Sequence, residues 1–133
     1  MRENSQLRKR CSGFLFNYVY RDAGNFKAHG SLLLAGKLSQ KQQTEIVMKL
    51  ESQEFFIAEQ IGVKPLYGAL YEFSGGMTHE DHVWHSFVGF EKVMSDSQMV
   101  EVDFWGTAAE LLRRFRNVDG WSLRLSPHWG AAA

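Results

Sequence analysis

The chain has 133 residues, 15 Lys+Arg against 15 Asp+Glu and a formal net charge of zero, with 44% hydrophobic and 14% aromatic residues. That length is one ordinary domain, and that composition fills a core and excludes a disordered chain. The neutral balance disfavours both a basic nucleic-acid binder and an acidic mimic of nucleic acid, and no apolar run reaches the roughly 20 residues of a membrane span.

Residues 1–12 read as a polar, flexible N-terminal segment without the apolar core of a signal peptide, and 130–133 as a frayed tail. A single α+β domain is expected between them, over 13–129. The single cysteine, Cys11, leaves no intramolecular disulfide and suits a cytoplasmic protein. Beneath the zero balance the charge is segmented. Residues 1–50 are net +6, residues 51–103 net −8 and residues 104–133 net +2. Folding either mixes these on a solvated surface or leaves a two-signed face that orients a partner.

In chain order, Phe14, Phe16, Tyr18 and Tyr20 place aromatics at every even position of a first strand, so that face is expected on the core. The odd positions Leu15, Asn17 and Val19 are mixed, and their face is expected to be less buried. Arg21-Asp22-Ala23-Gly24-Asn25 then supplies turn chemistry, with Gly24 or Asn25 at positive φ. A second strand over Phe26–Leu34 completes an antiparallel hairpin. Ser39 and Gln42 have capping-box spacing before a helix ending near Ser52, with Ile46, Val47 and Leu50 on one face. Phe55-Phe56-Ile57 reads as extended. A strand is expected over Val83–Phe90, upstream of it the pair Gly75-Gly76, and a short one over Val100–Phe104. Thr107 and Glu110 repeat the capping box before a helix whose buried stripe is Ala108, Leu111, Leu112 and Phe115. Trp121–Leu125 alternates like a last short strand. The order β-β-α-β-β-α-β predicts a mainly antiparallel sheet with two helices packed on one face.

The chemistry-bearing residues are few. His79, His82 and His85 recur every third position. If a strand begins before Asp81, then His79, Asp81 and His85 share one side while His82 points to the other. Two imidazoles and a carboxylate could hold a divalent transition metal with positions left for water. If Thr78–Asp81 is loop, His85 becomes a lone imidazole beside Trp84. Cys11, after Arg8-Lys9-Arg10, is an activated thiol only if that segment is ordered. Arg113, Arg114 and Arg116 together with Arg8-Lys9-Arg10 could face RNA, or form an ordinary solvated helix surface opposite the apolar stripe. No nucleophile elbow, phosphate-binding glycine loop or dinucleotide fingerprint occurs in the chain.

Tyr20-Arg21-Asp22-Ala23-Gly24-Asn25-Phe26-Lys27 and Asp81-His82-Val83-Trp84-His85-Ser86-Phe87, with Glu54-Phe55-Phe56-Ile57-Ala58 between them, resemble a family of small bacterial proteins with a YRDAxNxK turn and a DHxWHxF strand. The resemblance spans residues 14–90 and brings no activity with it. It implies that Arg21, Asp22, Asn25, Lys27, Asp81, His82, Trp84 and His85 belong to one surface or core arrangement.

Together these features predict a non-enzymatic protein-interaction domain, such as a small regulator, inhibitor or immunity-type factor. Its interaction candidates are Arg21, Asp22, Asn25, Lys27, His82, Trp84 and His85. The expected partner is another protein, or a second copy of the chain in a homo-oligomer, with no membrane and no cofactor. The alternatives are a metal-dependent hydrolase or nuclease using His79, Asp81 and His85, and an RNA-binding module using the basic segments.

Overall fold

Phe14, Phe16, Tyr18 and Tyr20 alternate along β1, Gly13–Arg21, and all four are buried as that alternation predicts. They belong to a computed structural model that describes residues 13–22, 24–70, 82–93 and 104–125. The segment 1–12, the pair Gly75-Gly76 and the tail 130–133 lie outside those residues. β1 turns into β2, Lys27–Ala35, in an antiparallel register that runs from Arg21↔Lys27 to Gly13↔Ala35. At the tip the Asp22 carboxylate accepts the Phe26 amide at 2.9 Å, and Asn25 takes φ 70°. The expected positive φ therefore falls on asparagine, whose short polar side chain tolerates the left-handed region.

Helix α1, Gln40–Lys49, opens with the predicted box: the Gln42 amide donates to Ser39 Oγ at 3.1 Å and the Ser39 amide to Gln42 Oε1 at 2.9 Å. It stops at Lys49 instead of Ser52 because Leu50 is already extended and Ser52 and Gln53 turn left-handed. There follow β3, Phe55–Phe56, the short α2, Ala58–Ile61, and a 3₁₀ turn, Tyr67–Leu70. Beyond residue 81 lie β4, His85–Val93, β5, Phe104–Thr107, and α3, Ala108–Arg116. Thr107 Oγ1 accepts the Glu110 amide at 3.0 Å, but the Glu110 carboxylate turns to Arg113 and Arg114 and does not complete a second box.

The five strands form one sheet in the order β3-β4-β1-β2-β5. The fold is α+β, as predicted, and among the described residues only the β2–β5 pair is parallel. Two expectations need correction. The helices number three among the described residues, because α2 is a single turn closed by Gly62 at φ 75° and is too short to show a period. Trp121–Leu125 is not a strand. Leu123–Leu125 is a 3₁₀ turn with both leucines exposed. Its approach is held by side chains from elsewhere, Trp121 Nε1 donating to the Lys49 carbonyl and Gln60 Oε1 accepting the Ser122 amide. An alternating pattern without a neighbouring strand edge does not make a strand.

Phe16 is fully buried at the centre of the core, with ring centroids 5.2–6.2 Å from Phe56, Phe87, Phe90 and Phe115. The α1 face (Ile46, Leu50) and the α3 stripe (Leu111, Leu112, Phe115) join this cluster as expected, whereas Tyr20 belongs to a smaller one with Ala28, Tyr67 and Leu70. The odd face of β1 is more buried than its mixed sequence suggests. Leu15 packs there with Leu33 and Val93, because β1 sits mid-sheet and both flanking strands bring aliphatic neighbours to it. Asn17 breaks that face between Leu15 and Val19, accepting a hydrogen bond from Ser31 Oγ at 2.5 Å.

Candidate functional site

The interaction candidates divide into two groups. At the end of β1, His82 precedes β4 in irregular backbone, so strand alternation does not apply to it. His82 and His85, expected on opposite sides of a strand, instead both pack on Tyr20, with ring centroids 5.0 and 5.1 Å away. His82 Nε2–H donates to the Arg21 carbonyl at 2.5 Å, and its Nδ1 accepts the Trp84 amide at 3.0 Å. The His82 amide in turn donates to the Tyr20 hydroxyl at 2.9 Å. His85 is fully buried, and its Nε2 accepts the Leu66 amide at 2.9 Å. The two amides thus use His82 Nδ1 and His85 Nε2 as hydrogen-bond acceptors. Tyr67 completes the group, its ring 5.9 Å from His85 and its hydroxyl donating to Glu59.

His85 thus commits its Nε2 to the backbone of Leu66. His79 and Asp81, its companions in the metal-hydrolase alternative, lie outside the described residues. Among the described residues, no three His, Cys, Asp or Glu side chains converge on one point. Trp84 packs edge-on against Phe55 and Trp121. Arg21, Asn25 and Lys27 stand exposed at the hairpin tip, and Asp22 braces the turn backbone. Among the described residues, His82 meets the hairpin end through the Arg21 carbonyl.

The three helical arginines each hold a carboxylate: Arg113 and Arg114 hold Glu110, and Arg116 holds Glu45. Arg113 and then Arg114 hydrogen-bond the Glu110 carboxyl and bring its pKa down to about 2; Arg116 lowers that of Glu45. Arg114 also donates to the Ile61 carbonyl and lies over the Trp105 ring at 5.0 Å. Arg8-Lys9-Arg10 and Cys11 lie outside the described residues.

A groove of about 280 Å³ opens between α1 and β4, where no candidate had been placed. Its lining is Gln40, Gln43, Thr44, Val47 and Met48 from the helix, Gln53 from the turn after it, and Phe87, Gly89 and Phe90 from the strand. No lining side chain is charged. The floor exists because β4 carries a bulge: Tyr18 faces Phe87 and Asn17 faces Gly89, leaving Val88 as the extra residue. In a regular strand residues 87 and 90 would point to opposite faces. Here both rings pack on Phe16 and on each other, centroids 5.1 Å apart, and remain partly open above. Two phenylalanines three apart around a glycine, inside an otherwise strand-like run, carry the sequence signal for this bulge.

No helix among the described residues is long and apolar enough to cross a membrane. No known protein family, curated protein or solved structure matches the chain.

Proposed function

We propose that this chain is a non-enzymatic protein-interaction domain, and that its contact surface is the groove between α1 and β4. The observation that carries the reading is the groove's lining. Phe87, Phe90 and Val47 offer apolar area, Met48 stands 62% exposed at the rim, and Gln40, Gln43, Thr44 and Gln53 surround them with uncharged donors and acceptors. An apolar centre inside a polar rim is the usual anatomy of a protein contact, and methionine adapts to differently shaped partners. The histidines support the same reading from the other side, because their described bonds to backbone groups serve to hold loops.

A photo-cross-linking amino acid at position 48, introduced in the cells that make the protein, tests this proposal. One discrete adduct with another protein is expected, absent when the cross-linker sits at Phe26 on the hairpin tip and lost when Val47→Glu places a charge in the groove. Equal adducts from both positions, or none from position 48, would sink it.

A further inference from the structure

We infer that the groove's occupant is an extended segment of another protein, added as a strand along the outer edge of β4. This rests on the interaction reading above and goes further by naming the binding mode. β3 contributes two residues to that edge, Phe55↔Ser86 and Phe56↔His85, followed by a bond from the Phe87 amide to the Glu54 carbonyl at 2.8 Å. There its path leaves the sheet. Ser52 at φ 54° and Gln53 at φ 59° turn the backbone away towards α1. Along its inner side β4 pairs with β1 as far as Val93, but among the described residues no strand borders Val88–Val93 on the outer side. Among the described residues these six leave about 20 Å of open edge, room for one short strand in line with β3. Open N–H and C=O groups of this kind are what strand addition uses for affinity, while pockets for alternate side chains give selectivity.

The two sides of this edge say what the segment is made of. Towards α1, alternate side chains would enter the groove, where Phe87, Phe90 and Val47 meet them and no lining side chain is charged, Lys92 standing on the same face beyond Phe90. Gly89 leaves open space where a Cβ would stand, so the bulge does not block the approach. Towards the other face, the neighbours are Glu91 and Asn17, which are themselves in contact at 3.5 Å. The matching segment is therefore amphipathic with period two: apolar and uncharged towards α1, polar on the other side. A second copy's own edge fits poorly. Glu91 and Lys92 are adjacent, so strand alternation would turn one of the two charges into the uncharged groove.

The probe is an equimolar pool of capped heptapeptides that alternate threonine with valine, leucine or phenylalanine, added to the full chain. Amide chemical shifts and hydrogen exchange are read together. Saturable shifts at Val47, Met48 and Val88–Val93 are expected, with exchange at the Val88–Val93 amides slowed at least tenfold. Peptides N-methylated at alternate amides, or carrying glutamate at the apolar positions, should bind at least tenfold more weakly, and Met48→Glu should weaken the parent pool similarly. If methylated and parent peptides perturb Val47 and Met48 equally, without slowing exchange at Val88–Val93, the groove reading stands and strand addition fails. No saturable shift at either element up to millimolar peptide overturns both. Slowed exchange at Val88–Val93 that rises with protein concentration, without peptide, would make a second copy the occupant and overturn the inference.

Discussion

Each imidazole of the pair on Tyr20 works as a spacer between backbone segments: His82 joins the end of β1 to Trp84, and His85 joins β4 to Leu66. Replacing His85 with Leu keeps the apolar contacts but leaves the Leu66 amide without its acceptor. A loss of about 1–3 kcal/mol is expected in urea denaturation. A full-stability variant would show that the amide finds water and that the ring serves only as filling. Glu110 gives a second test with a definite sign. Its carboxyl titrates near 2 in the folded chain against an ordinary 4.5, so its contribution is complete above about 4.5 and disappears as pH falls towards 2. Glu110→Gln should therefore flatten the decline of stability between those pH values while changing little below them. Parallel wild-type and variant curves through that window would contradict the assignment.

Among the elements, the hairpin turn is the sharpest case. Asn25 holds φ 70°, and a β-branched side chain in that region is strained by about 1–2 kcal/mol. Asn25→Val should lose that much in thermal melts, and Asn25→Gly should melt close to wild type. Equal losses from both would mean that the asparagine side chain matters more than its backbone. This turn, β1, β2 and both long helices were legible in the sequence because each announces itself locally, through alternation, capping spacing or turn residues. α2 was not, since one helical turn has no period. The last strand misled, because Trp121, Ser122 and Gln60 hold that segment through contacts between distant parts of the chain. At the candidate site, the role of Asp22 in the turn could be read directly. The convergence of His82 and His85 could not, because it depends on where β4 begins, and the groove depends on a bulge that reverses the facing of Phe87.

For the molecule as a whole, one main core was predictable from the even positions of β1, and Phe16→Ala tests it: removing a ring with no exposed surface should cost about 3–5 kcal/mol. A loss below about 1 kcal/mol would mean that the neighbouring phenylalanines collapse into the space. The central place of β1 also divides the molecule's assembly in time. One of its neighbours, β2, follows after a tight turn, whereas the other pairs Gly13 with Val93, across most of the chain. Closing the short loop costs little entropy and closing the long one costs more, so the β1–β2 hairpin should be in place when the rate-limiting barrier is crossed, with β4 docking afterwards. In stopped-flow chevrons, Leu32→Ala in β2 should then mainly slow refolding, and Val93→Ala in β4 should mainly speed unfolding. The edge that β4 offers to a partner would thus belong to a strand that docks after the hairpin and leaves before it, and loss of β4 would release a bound segment while the hairpin still stands.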